Sequence, residues 1–136
     1  MIFKFTIYGN QDDIKANPIP YHRTTQGSKW LPAARRYSEW KSLVQTKFLI
    51  SIVYKDRKFY EQTLLYHKKP IKLPEKERAF MEIKIYWADD NHGDPDNIFK
   101  GIADALFVDD NNLYGSFLRG YEDKPTGPKV EVTINL

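Results

Sequence analysis

A chain of 136 residues with 41% hydrophobic and 15% aromatic residues is long enough to bury a core of its own and too apolar for a disordered tail. It has no cysteine, which excludes a disulfide framework and a thiolate metal site. No apolar run approaches the roughly 18 residues of a membrane helix. The net charge of +3 hides a division: residues 1–88 hold 17 lysines and arginines against 8 aspartates and glutamates, and residues 89–136 hold 4 against 10. A basic block suits a polyanion such as nucleic acid, and an acidic block suits cations. A solvated charged face is the competing reading of either block. Lys4, inside an apolar alternation, breaks the pattern of a signal peptide, so a soluble, cytoplasmic protein without membrane partners is expected.

In chain order, Phe3, Phe5 and Ile7 alternate with Lys4, Thr6 and Tyr8, the period of a half-buried strand. Gly9 and Asn10 end it. Pro18 and Pro20 hold the segment through Tyr21, His22 and Arg23 extended, since each proline biases its predecessor away from the helical region. Pro32 suits a first helical turn. Ala33, Tyr37, Trp40, Val44 and Phe48 then fall on one stripe, predicting an amphipathic helix over 32 to about 48. Residues 50–76 are ambiguous: Tyr54, Phe59, Leu64 and Leu65 can continue a helix or start another, and Lys68-Lys69-Pro70 breaks whatever is there. Met81, Ile83, Ile85 and Trp87 predict a second strand. Beyond it, Asp94 or Gly93 can cap a helix with Pro95 near its first position, its buried stripe formed by Phe99, Ile102, Ala103 and Leu106. Strands are expected around Tyr114–Tyr121 and Lys129–Leu136, separated by a breaker-rich turn from Asp123 to Pro128. The order β-α-β-α-β-β predicts one α/β domain of α+β character. A mixed sheet should carry two or three packed helices.

The acidic block concentrates chemistry. Residues 89–110 contain seven aspartates and one basic residue, Lys100. A short carboxylate close to the backbone is the usual hard-cation ligand, and Mg²⁺ needs only one or two of them beside water and phosphate. Asp96, Lys100 and Asp104 are spaced four apart, so they line one helix face. Asp94 lies at the helix start, and Asp109-Asp110 arrive just past its end. If Asp110 folds back beside Asp94 and Asp96, the three carboxylates cannot all ionise cheaply without a cation. The alternatives are an ordinary Asp96–Lys100–Asp104 ion-pair ladder and Asp-rich turns. No register fits an EF-hand calcium loop. His22, His67 and His92 have no ligand spacing.

The stretch Gly93-Asp94-Pro95-Asp96-Asn97-Ile98-Phe99-Lys100-Gly101-Ile102-Ala103-Asp104-Ala105-Leu106, followed by Val108-Asp109-Asp110, resembles the RusA family of Holliday junction resolvases. It meets the pattern D-x-D-N-x-x-K-x-x-x-D-x-L with a following Asp-Asp pair, although the gap to the pair is short beside some members. The proline-led segment Pro18–Arg23 and the stretch Ala34–Trp40 are also similar to that family, and the tail Lys124–Ile134 matches its closing hairpin. Residues 49–77 match poorly. The resemblance implies a small homodimeric endodeoxyribonuclease acting on four-way junction DNA in recombination and repair. A bacterial, nucleoid-associated setting and a phage or prophage source are implied with it. It further implies Asp94, Asp96 and Asp110 as metal-binding catalytic carboxylates, with Lys100 as the basic residue beside them. Asn97, Asp104 and Asp109 are supporting residues, Mg²⁺ is the cofactor and Mn²⁺ its substitute.

An aspartate cluster alone would repel DNA, so the basic block has to hold the backbone. Arg23, Lys29, Arg35 and Arg36 are the candidate phosphate contacts, each as readily a solvated charge. Tyr21, Trp30 and Trp40 are available to stack on splayed bases, with core packing the competing role of Trp40. The alternative to an enzyme is a non-catalytic DNA-binding module with a structural cation site.

Overall fold

Strands form where apolar residues alternate, and the alternation decides which face each buries. The computed structural model describes residues 1–23, 27, 30–53, 55–58, 69–119 and 127–136. Four strands are present: β1 (Ile2–Tyr8), β2 (Ala79–Tyr86), β3 (Leu113–Arg119) and β4 (Lys129–Asn135). They form one mixed sheet in the order β1-β4-β2-β3. β4 runs antiparallel to both β1 and β2, whereas β2 and β3 are parallel. Phe3, Phe5 and Ile7, Met81, Ile83 and Ile85, and Val130, Val132 and Ile134 all point to one buried face.

Two helices among the described residues cover that face: α1 (Pro32–Val53) and α2 (Pro95–Leu106). α1 runs beyond the expected end near 48 because its stripe continues to Ile52, which is fully buried. The stripe also begins one residue later than expected, at buried Ala34; Ala33 is exposed. Trp40 is 0% exposed, so it is a core residue and not a base-stacking one. On α2 the buried set is Ile98, Gly101, Ile102, Ala103, Ala105 and Leu106. This is wider than the predicted stripe, because α2 packs against α1 as well as the sheet. Phe99 is only partly buried and leans on Phe117 of β3, with ring centroids 6.3 Å apart.

The mixed sheet carrying packed helices agrees with the expected fold class. The expected closing hairpin does not form. β3 and β4 are consecutive in sequence, yet β2 lies between them. Apolar alternation marks a strand without naming its neighbour, and β4 gains most in the centre, where both flanks are paired. Lys29, Tyr54, Phe59, Leu64, Leu65, His67 and Lys68, and the turn residues Asp123 to Thr126, lie outside the described residues. Among the described residues, no helix is long and apolar enough to cross a membrane.

Candidate metal and nucleic-acid site

α2 starts where β2 ends. Asp94 takes the N-cap position with extended backbone, and Pro95 follows in the first turn. A capping aspartate ordinarily accepts a hydrogen bond from a first-turn amide. The Asp94 side chain makes none; its carbonyl instead accepts the Asn97 and Ile98 amides at 3.0 and 3.2 Å. Asp96 is exposed in the same turn. Neither carboxylate has a hydrogen bond or ion pair to another described residue. Both sit at the helix end where backbone amides favour negative charge.

The proline-led segment lies against this turn. A Cβ on Gly93 would stand 2.8 Å from Pro20, the Tyr21 amide donates to the Asn97 carbonyl at 3.0 Å, and the Lys100 ammonium lies 4.2 Å from the centroid of the Tyr21 ring. Tyr21 in turn packs edge-on against Tyr37, 5.5 Å between centroids. Lys100 is therefore held over an aromatic face and makes no ion pair with Asp96 or Asp104 among the described residues. Arg23, two residues beyond Tyr21, is exposed.

The alternative of an Asp96–Lys100–Asp104 ladder does not form among the described residues: i,i+4 spacing allows it, but Lys100 lies over the Tyr21 ring and Asp104 has nearer partners. Asp104 faces α1. There it accepts hydrogen bonds from the Tyr37 hydroxyl at 2.6 Å and the Lys69 ammonium at 3.0 Å, with Lys41 at 3.4 Å. Burial raises the Asp104 carboxyl, but those bonds and charges outweigh it and hold it below the usual range. Burial, then the bond to Asp104, pushes the Tyr37 phenol up. Lys69 is in reach because Ile71 bridges Phe107: its amide donates to Leu106 and its carbonyl accepts from Val108, each at 2.8 Å.

Asp109 and Asp110 lie at the other end of α2. β3 starts beside the start of β2, with Leu113 opposite Ala79, and the twelve residues of α2 span about 18 Å. Asp109 forms the turn, accepting the Asn111 amide at 3.0 Å and its side-chain amide at 3.3 Å. The Asp110 carboxylate is exposed and has no such bond. A pocket of about 150 Å³ there is lined by Lys69, Asp104, Phe107, Asp109 and Asp110 among others. Among the described residues, no group of three or more His, Asp or Glu side chains gathers in a geometry that could hold a metal ion. Asp110 therefore does not fold back beside Asp94 and Asp96. The donor chemistry of Asp94 and Asp96, short exposed carboxylates in one turn with no partner among the described residues, still fits a hard cation, since Mg²⁺ completes its shell with water.

Sequence reasoning missed the residues that anchor the loop before the site. Asn17 accepts the Ala88 amide at 2.6 Å and donates to Asp89 and to the Asn91 carbonyl, each at 3.0 Å. Asn10, buried, accepts the Asp12 and Asp13 amides at 2.9 and 3.1 Å and donates to the Asn17 carbonyl. Both read as loop residues, and no periodicity links positions some 70 apart. His92 stacks on Trp87, 3.7 Å between centroids and 4° from parallel. Of the basic candidates, Arg35 is exposed, and Arg36 pairs with Asp12 at 3.2 Å on the surface. Trp30 is 77% exposed. The chain matches no protein-family model, and no curated protein matches it.

Proposed function

We propose that the protein is a Mg²⁺-dependent, structure-selective endodeoxyribonuclease that resolves four-way DNA junctions by paired incision. The observation that carries this reading is the first turn of α2. Two carboxylates stand there unengaged, with Lys100 held one turn away over Tyr21 and the basic Pro18–Arg23 segment alongside. The likeness of the Asp94–Asp110 stretch to RusA-type resolvases supports the same chemistry.

Asp94 and Asp96 at the start of α2 are the residues that would hold the cation; Asp110, at the other end of α2, does not reach it within one chain. Mg²⁺, when bound, lowers the pKa of its water and polarises the phosphoryl group. Lys100 contributes an ammonium that neutralises charge developing on the phosphate. The Tyr21 ring fixes its direction and spares it an ion pair that would cancel it. Arg23 and Arg35 hold the DNA backbone against an otherwise repulsive acidic edge. Two incisions across a twofold junction call for two sites, hence a homodimer.

The test is Asp96→Asn, assayed with a labelled four-way junction, plain duplex and Mg²⁺. Nicking should fall at least a hundredfold with junction affinity retained. Undiminished cleavage refutes the site. No product from wild-type protein on either substrate favours a binding module with a structural cation, and equal cutting of duplex favours a general nuclease.

A further inference from the structure

The Tyr21 ring that supports Lys100 is itself held from behind. Its edge meets Tyr37 of α1, with 5.5 Å between centroids and 76° between planes. Tyr37 is 1% exposed. Its hydroxyl donates to the Asp104 carboxylate at 2.6 Å, which Lys69 and Lys41 hold at 3.0 and 3.4 Å. The Lys41 ammonium also lies 4.8 Å from the centroid of the Tyr37 ring. Each group thus rests on the next: the Lys100 ammonium on the face of Tyr21, Tyr21 on Tyr37, and Tyr37 on Asp104 and Lys41.

Gly101 sets how closely α2 approaches this pair of rings. It is buried in the middle of α2, where glycine is a poorer choice than alanine because its backbone has more freedom to lose. A Cβ there would stand 3.3 Å from Cε1 of Tyr37, 3.4 Å from the Tyr21 amide nitrogen and 3.6 Å from the Tyr21 Cα. The first of these is tighter than ordinary van der Waals contact, so the Tyr37 ring would have to give by a few tenths of an ångström. With no side chain at 101, the Tyr21 amide comes close enough to donate to the Asn97 carbonyl at 3.0 Å. The exception falls beside Lys100, and breaks in local preference concentrate where function needs them.

A lysine ammonium ends a flexible four-carbon stem. At i,i+4 spacing, nothing in the helix itself keeps the Lys100 ammonium off Asp96 or Asp104; it lies over Tyr21 instead. We propose that Tyr37 and Gly101 are positioning residues for Lys100. Acting through Tyr21, they hold its ammonium away from the flanking aspartates and open to an incoming phosphate. The catalytic consequence rests on the nuclease reading; the positioning does not.

Reductive methylation with isotopically labelled formaldehyde keeps the charge of each lysine and gives it a dimethylammonium NMR signal; the signal missing in Lys100→Arg is that of Lys100. In wild-type protein the Tyr21 ring current should shift that signal upfield, and Tyr21→Leu should abolish the shift. Gly101→Ala favours the helix and should stay folded, yet reduce the shift. Tyr37→Leu should abolish it, whereas Tyr37→Phe, which keeps the ring, should retain it. A wild-type signal without the upfield shift, or an unchanged shift in folded Gly101→Ala, overturns the positioning. So does a shift that survives in folded Tyr37→Leu or vanishes in Tyr37→Phe. On a four-way junction with Mg²⁺, Gly101→Ala and Tyr37→Leu should lower kcat about tenfold with junction affinity unchanged, the signature of a misdirected group rather than a lost binding contact. A fall in affinity alone overturns the catalytic half. Wild-type protein that cuts no substrate overturns the nuclease reading and leaves the ring-current result standing.

Discussion

The Asp104 carboxylate accepts from Tyr37 and Lys69 and lies beside Lys41, which makes it a joint between α1, α2 and the loop before β2. Its folded pKa is lowered, so its contribution to stability is fully present above the ordinary carboxyl value near 4 and is lost as pH falls through the lower folded value. Asp104→Asn should therefore lower the melting temperature at pH 7, and the deficit should shrink steadily below about pH 4. A deficit constant from pH 7 to pH 3 would refute the charge-based account. Tyr37→Phe keeps the ring against Tyr21 but removes a bond to a charged acceptor, at a cost of about 1.5–2 kcal/mol. Periodicity placed Asp104 on the helix; that it engages Tyr37, Lys69 and Lys41 rather than Lys100 depends on distant segments brought beside it.

At the scale of elements, α1 joins the sheet through aromatic contacts. Phe48 meets Phe3 and Phe5 edge-on, with centroids 5.8 and 6.0 Å apart, and is fully buried. Phe48→Ala should cost about 3–5 kcal/mol in chemical denaturation, the transfer loss plus the cavity left behind. A cost under about 1 kcal/mol would mean that α1 is not held by this contact. The stripe Tyr37–Trp40–Val44–Phe48 was legible because helical spacing and burial share one cause, the need to remove one face from water. The one-residue slip from Ala33 to Ala34 and the extension to Ile52 were less legible: methyl groups tolerate either side of a boundary, and where the helix ends depends on what packs over it.

Over the whole molecule, the basic and acidic blocks meet where the Pro18–Arg23 segment runs along the start of α2. On the proposed function, exposed basic residues that neutralise phosphates release counterions, so junction binding should weaken steeply with salt. Arg35→Ala should weaken junction affinity evenly across sequences and reduce the slope of log affinity against log salt by about one. Arg36→Ala should do less, because Asp12 already neutralises it. Equal slopes for wild type and Arg35→Ala would remove Arg35 from the DNA face.

The sequence by itself determined the strands, both helices, the aromatic core stripe and the gathering of short carboxylates around α2, because each is a local pattern of side-chain chemistry repeated at the period of its element. Tertiary structure alone decided that β4 lies between β1 and β2, that Asn17 anchors the loop before α2, that Lys100 rests on Tyr21, and that Asp110 does not fold back beside Asp94 and Asp96. These depend on which distant segments meet. The periodicity that places a residue on a helix or strand is silent about what will stand across from it.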